Sequence, residues 1–165
     1  MKKILFATVL TLLMFSSCSN DNDNQSSIPL TQAEIDDLKF LREEEKLARD
    51  VYLFSYNKYQ VSIFNNISQS EQKHMNSVLN LMNKYGIPDS ASTEIGVFNN
   101  TDLQQLYTAL TTQANISLIE ALKVGATIED LDINDIDDFI SNTNKSDILN
   151  VYDNLTCGSK NHIRS

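Results

Sequence analysis

The sequence has 165 residues with 22 acidic and 13 basic side chains, so its formal net charge is −9. Nucleic-acid-binding domains are normally basic, and this balance therefore excludes nucleic acid as an expected partner. With four glycines and two prolines, the chain lacks the turn residues of a many-stranded sandwich or barrel, whereas its 41% apolar residues suffice for a core. Two cysteines cannot form the disulfide framework of a small secreted scaffold. We therefore expect one helical domain held together by packing, by a metal, or by both.

The N-terminus has the layout of a targeting segment. Lys2 and Lys3 precede an apolar run over residues 4–15, and two serines then lead to Cys18, as in a signal peptide with its cleavage site. The run is too short to cross a bilayer comfortably. A cysteine directly after small residues resembles the lipobox of bacterial lipoproteins, so we predict a signal peptide over residues 1–17 and lipidation of Cys18. The alternative is ordinary cleavage near the same point, which leaves a free thiol.

The stretch after Cys18 is polar and acidic, which predicts a disordered tether over residues 18–29. This tether is similar to the surface-export signal of lipoproteins in the Bacteroidota. We therefore expect an outer-membrane lipoprotein of the cell envelope, displayed at the surface and attached to the membrane through its lipid anchor. Such a tether disfavours a closed storage shell of many subunits. The sequence leaves the oligomeric state open, with a dimer as one option.

Residues 30–165 are predicted to form one all-α domain, because apolar residues recur along them with helical periodicity. The first helix starts with the capping-box pattern of Thr31 and Glu34. In chain order, the predicted elements are a helix to about Lys58, a helix over 61–85, a connector over 89–100, a short helix over 101–110, a helix capped by Ser117, a short turn of helix over 133–140, and a last helix capped by Ser146. Four principal and two short helices favour an antiparallel four-helix bundle.

Several polar side chains fall on the apolar faces of these helices, where an unpaired charge is costly unless a metal binds it. Successive residues are rotated by about 100° around a helix axis, so the residues that share the apolar face of each helix can be identified. The second, the Ser117-capped and the last helix carry the following inward residues: Glu71, His74, Glu129, Asp132 and His162. Both histidines of the chain are in this set, whereas Cys157 points outward.

The first helix has two candidates, because Glu44 falls near the middle of its wide apolar arc and Glu45 near the edge. Periodicity leaves both open. Several carboxylates and two imidazoles that face one interior suit iron or manganese, which accept mixed oxygen and nitrogen ligands. A zinc site with this many carboxylates would be unusual.

Each inward residue also has a purely structural interpretation. The acidic run 43–45 could be a solvated face balanced by neighbouring basic side chains. Glu129 could pair with Lys123 or Arg164, Asp132 could cap a helical turn, and His162 could be a hydrogen-bonded core residue. Their coincidence on three or four helices favours the metal site.

Five stretches resemble the ferritin-like superfamily and, more closely, DUF2202, a ferritin-like domain family found in bacteria and archaea. They are residues 43–52 (EEEKLARDVY), 70–75 (SEQKHM), 96–100 (GVFNN), 121–133 (ALKVGATIEDLDI) and 158–164 (GSKNHIR). The resemblance extends from about residue 30 to the C-terminus. Ferritins and rubrerythrins have a first-helix Glu followed by Ala three positions later and Tyr seven positions later. Glu45, Ala48 and Tyr52 match this spacing, so the resemblance prefers Glu45 over Glu44 as the ligand.

The resemblance implies a ferritin-like four-helix bundle with a di-iron site, with manganese as the other metal. Glu45, Glu71 and His74 would hold one side, and Glu129, Asp132 and His162 the other. The last helix departs from the superfamily pattern, because Ser159 stands where a bridging Glu is usual, which makes Asp132 a candidate substitute. Tyr52 would donate an electron or orient an oxygen species, or else serve as a core tyrosine.

The expected function is that of a lipid-anchored protein that handles iron or peroxide. Oxidase-type di-iron chemistry is put in doubt by the missing carboxylate, so the sequence leaves open whether the protein is an oxidoreductase. The competing hypothesis is a metal-free helical surface module for binding or structure, in which the inward acids pair with Arg and Lys.

Overall fold

The computed structural model describes residues 29–165, and over this range the chain forms five helices and no strand. The helices are α1 (Gln32–Tyr59), α2 (Ser62–Lys84), α3 (Thr101–Ala114), α4 (Leu118–Ile140) and α5 (Ser146–Arg164). The predicted signal peptide, Cys18 and all but the last residue of the predicted tether lie outside this range. None of the described helices combines the length and the apolar character that crossing a membrane requires.

Local capping signals set most helix starts. The capping box at α1 is present, with the Thr31 side chain accepting from Glu34 N–H and the Glu34 carboxylate accepting from Thr31 N–H. Ser117 caps α4 as predicted. The last helix starts one residue earlier than expected, because Ser146 is its first helical residue and Lys145, which makes no side-chain capping bond, occupies the N-cap position.

The predicted short helix over 133–140 is wrong as a separate element. α4 continues without interruption to Ile140, because no proline or second glycine follows Gly125 within it, and Ile136 extends its buried face. α3 is also longer than predicted and ends at Ala114, whose side chain is fully buried.

The helices pack as a closed circuit. α1 contacts α2 and α4, while α5 contacts α2 and α4, and α3 lies against α1 and α4. Two apolar clusters occupy the interior, one containing Leu47, Phe64 and Ile128 and the other containing Leu41, Val78 and Ile136. On α1, α2 and α4 the predicted inward polar residues fall between the positions that supply these two clusters. They therefore form a polar layer inside an otherwise apolar core.

The middle of α1 has no solvent-exposed face, and every residue from Leu41 to Ala48 is buried. Glu43 accepts hydrogen bonds from the backbone N–H groups of Asn99 (2.9 Å) and Asn100 (2.8 Å), just before α3. Lys46 donates to Asp50 (2.7 Å) and to the carbonyls of Glu94 and Val97 in the 89–100 connector. The interpretation of residues 43–45 as a solvated face is therefore wrong.

Three apolar residues that lie on the periodic apolar faces of α4 and α5 are partly exposed. Leu118 is 37% exposed, Leu122 48% and Ile163 47%. Leu118 and Leu122 lie near the start of α4, and Ile163 lies at the end of α5. Helical periodicity identifies the apolar face there, but none of the helices within residues 29–165 covers it.

Candidate metal centre

The first part of the site joins α1 and α2. Glu71 and His74 lie one turn apart on α2, and Glu45 reaches them from α1. Nδ1 of His74 is 2.9 Å from Glu71 Oε2 and 3.3 Å from Glu45 Oε2. These three residues can place one ligand atom each within 4.8 Å of one another.

The second part joins α2, α4 and α5. Nδ1 of His162 is 2.7 Å from Glu71 Oε1 and 3.3 Å from Glu129 Oε2. Glu71, Glu129 and His162 form a second group whose ligand atoms lie within 4.8 Å of one another. Glu71 thus belongs to both groups and presents one oxygen to each histidine, and the two imidazole rings stack with centroids 5.6 Å apart.

Several ligand atoms of these groups lack a hydrogen bond although they are buried. Glu45 Oε1, Glu71 Oε1 and His74 Nδ1 have no hydrogen-bond partner among the described residues, since the short contacts to them lack hydrogen-bonding geometry. The alternative cationic partners are engaged elsewhere, because Lys123 pairs with Glu120 and Arg164 donates to Asn161. Buried, unpartnered oxygen and nitrogen atoms that converge on one region are the donor set that a cation needs.

The surplus of negative charge among these buried carboxylates shifts the pKa values of the acids and of the two histidines. Burial and the neighbouring carboxylates of Asp132 and Glu71 raise the pKa of Glu45 well above its usual value. Burial disfavours ionised Glu71, but the imidazoles of His162 and His74, 2.7 and 2.9 Å from its oxygens, outweigh this effect and lower the pKa of Glu71 to about 2. For His162, burial is outweighed by the adjacent carboxylates of Glu129 and Glu71, which raise its pKa to about 9. Protons on His162 and on the buried carboxyl groups with raised pKa values therefore offset part of the negative charge.

Asp132 lies beside the two groups and belongs to neither of them. Its Oδ2 accepts a 2.5 Å hydrogen bond from the Ser159 hydroxyl, and its Oδ1 has no partner among the described residues. Burial raises the pKa of Asp132 to about 7, with the Ser159 bond lowering it and the charges of Glu71 and Glu129 adding to the rise. Ser159 is fully buried, so α5 presents a short polar side chain to Asp132 of α4 at this point.

Glu44, the other first-helix candidate, is also buried but is not part of either group. Burial raises its pKa well above the usual value, and the carboxylates of Asp132 and Asp135 add to this. Its Oε2 lacks a partner among the described residues. Of the two residues that periodicity left open, the structure therefore brings Glu45 and not Glu44 to His74.

Tyr52 and two glycines complete the surroundings of the site. The Tyr52 hydroxyl donates a 2.6 Å hydrogen bond to Glu129 Oε1. A Cβ at Gly125 would lie 3.0 Å from that hydroxyl oxygen, and a Cβ at Gly158 would lie 2.5 Å from His74 Nε2. Gly158 was not among the predicted site residues, although glycine in the middle of a helix is unfavourable and indicates a packing requirement.

Residues 34–165, a range that contains all six predicted metal ligands, match the family described as uncharacterized protein domain DUF2202. The chain belongs to the DUF2202 family. The uncharacterized protein MJ0754 of Methanocaldococcus jannaschii is 51% identical to this DUF2202 chain over 138 residues, which are 83% of this chain and 75% of that protein.

Solved structures resemble the DUF2202 domain as well. The crystal structure of hypothetical protein MJ0754 from Methanococcus jannaschii has a TM-score of 0.81 at 51% identity and covers 82% of this chain and 78% of its own. A DUF305 fragment from Deinococcus radiodurans has a TM-score of 0.60 at 14% identity, with coverage of 82% and 93%. At that identity the second likeness concerns the fold alone.

Proposed function

We propose that this protein is a ferritin-like metal-binding bundle whose polar layer holds two iron ions, with manganese as the alternative metal, and that it handles iron or peroxide. The observation that carries the proposal is the position of Glu71, which belongs to two three-residue groups and faces a histidine in each. Two groups that share one carboxylate would suit a pair of ions, with Glu71 contributing a ligand to each.

The donor set fits such ions. Glu45 and His74 would complete the first site, Glu129 and His162 the second, and Asp132 would serve as the further carboxylate beside them. Mixed carboxylate and imidazole ligation suits iron and manganese, whereas zinc sites rarely use so many carboxylates. Bound iron would supply one-electron chemistry toward peroxide or dioxygen. The protein's own part would be to orient Glu129 through Tyr52 and to keep charged ligands in a buried, apolar surrounding.

The ferritin-like assignment is supported by the circuit of α1, α2, α5 and α4 around the polar layer. It is also supported by the Glu45, Ala48 and Tyr52 spacing on α1, since the two outer residues of that triplet reach the site. The departure at Ser159 leaves the second site with fewer carboxylates than in the superfamily pattern. We therefore assign no oxidase reaction to the site.

The cellular part of the proposal rests on residues 1–29. We propose a bacterial outer-membrane lipoprotein anchored through Cys18 and displayed at the cell surface, because the basic start, apolar run and Ser-Ser-Cys sequence form a lipobox-like signal. Incorporation of a labelled fatty acid into the full-length chain, and its loss in Cys18→Ala, tests this proposal. Equal labelling of both chains would contradict it.

A metal-free module is the second candidate, and one observation favours it. Both histidines have raised pKa values because they pair with the acids, so protonated imidazoles can neutralise part of the buried charge. In this alternative the polar layer is a structural network that fixes the helix arrangement.

Metal analysis separates the two candidates. The chain without residues 1–18 is reconstituted anaerobically with Fe²⁺ or Mn²⁺, and bound metal is measured beside His74→Ala and the exposed control Lys160→Ala. We expect about two ions per chain in the parent and control and a clear loss in His74→Ala, with metal raising the thermal midpoint. Less than about 0.2 ions per chain in the parent would leave the metal-free module as the answer.

A further inference from the structure

A recess with a volume of about 190 Å³ opens beside the second half of the site. Leu122 and Ala126 of α4 and Ile163 of α5 form its exposed rim. Its lining also includes Tyr52 and His162, which are mostly buried and which both contact Glu129. We call this cavity the Tyr52 recess. It connects solvent with the Glu129 and His162 side of the site.

The chemistry of the Tyr52 recess differs from that of the polar layer beside it. Its walls are mostly apolar and include Phe64 and Ile67, and its polar groups lie at the Tyr52 hydroxyl, the His162 ring and Ser165. No Asp, Glu, Lys or Arg side chain lines it. The imidazole of His162 already faces the carboxylates of Glu71 and Glu129. The walls therefore favour an uncharged occupant, because an ion would lose hydration there without gaining an unpaired opposite charge.

The volume of the Tyr52 recess and its exposed apolar rim further restrict the kind of molecule that it can bind. An apolar protein cavity of about 150 Å³ takes up benzene, so the Tyr52 recess has room for one small ring. It also accounts for the exposed Leu122 and Ile163, since apolar side chains at a surface opening commonly mark a ligand site. His74 is not part of the lining, so an occupant would approach the site from the His162 side alone.

We propose that the Tyr52 recess binds a small, uncharged organic molecule of about the size of phenol, with its polar group toward Tyr52 and His162. This inference rests on the proposed function, because it names a class of substrate for the same site. The orientation follows from the lining, because the polar groups of Tyr52 and His162 lie against Glu129 while the apolar side chains Leu122 and Ile163 form the rim.

The test uses phenol as the probe and the metal-free chain without residues 1–18. Binding is followed by amide shifts in two-dimensional NMR, and we expect saturation with a Kd on the order of 1 mM. Ala126→Leu fills the recess from α4, and Ile163→Trp narrows it independently from α5. Thr127→Leu, exposed on the same helix and outside the lining, is the matched control. The two filling variants should weaken binding by about tenfold or more, and the control should not.

Each outcome bears on a separate claim. Phenol shifts that do not saturate, or that persist unchanged in both filling variants, would overturn the site. Benzoate, a ring of similar size with a negative charge, should bind much more weakly, and equal binding would overturn the uncharged class. Metal content is measured on the same preparations. A chain that binds phenol but no metal contradicts the proposed function and not the recess, and a chain that loads metal but ignores phenol contradicts the recess alone.

Discussion

Gly158 provides a sharp test of the site, because it lies directly against His74. A Cβ at this position would be 2.5 Å from His74 Nε2 and 2.6 Å from Cε1, whereas ordinary contacts begin at 3.4 Å. In Gly158→Ala the imidazole must therefore retreat by about 0.9 Å. Ligand distances in metal sites tolerate only about 0.2 Å. We expect the affinity of the His74 side for metal to fall by roughly 10- to 100-fold, as when a group that orients a ligand is lost.

The same substitution should leave the metal-free fold intact. Alanine is favoured over glycine inside a helix by about 1 kcal/mol, and the side chain that must move is the end of a rotatable imidazole. Binding of Mn²⁺ and, anaerobically, of Fe²⁺ is measured by calorimetry for the parent, Gly158→Ala and the exposed control Lys160→Ala, together with urea unfolding without metal. Metal affinity in Gly158→Ala equal to that of the parent would refute the reasoning, and so would an equal loss in the control.

Three further predictions concern the neighbours of the site. In Ser159→Ala, the buried Asp132 carboxyl loses its partner, so the metal-free protein should lose about 1–3 kcal/mol of unfolding free energy in urea titrations; an unchanged midpoint would contradict this. Tyr52→Phe keeps the ring but removes the hydrogen bond to Glu129, so calorimetry should show weaker binding of one ion and little change for the other. Metal-free stability should fall as pH rises from about 5 to 9, because Asp132 (pKa about 7, ordinarily 3.8) and His162 (pKa about 9, ordinarily 6.5) hold protons more tightly in the folded chain. Their contribution is complete at low pH and is lost above these values, and thermal melts that show rising stability over this range would contradict it.

Local signals explain why much of the fold was predictable. The capping residues Thr31 and Ser117 act within one turn of the helix that they start, so the sequence itself contains the relevant interaction. The inward positions of Glu71, His74 and Glu129 likewise follow from the period of the helix and its apolar neighbours. The structure brings these three residues together, and their role toward metal stays a prediction.

Features that depend on distant parts of the chain were not predictable in this way. Glu43 and Lys46 are buried because the 89–100 connector supplies backbone partners for them. Periodicity cannot reveal this, since charged residues on a helix face normally indicate solvent. The exposure of Leu122 and Ile163 has the opposite origin, because a periodic apolar face does not show where the covering helices stop. Gly158 and Ser159 required knowledge of which side chains α5 meets.

The enclosed middle of α1 has a consequence for how the chain opens. Its amides between Leu41 and Ala48 are covered on one side by the polar layer and on the other by the connector to α3. No single neighbouring element can detach and expose this stretch completely. Its amide hydrogens should therefore exchange with solvent mainly through global unfolding, later than those at the exposed ends of α3 or α5. The most highly charged segment of the sequence would then be the slowest-exchanging core of the protein.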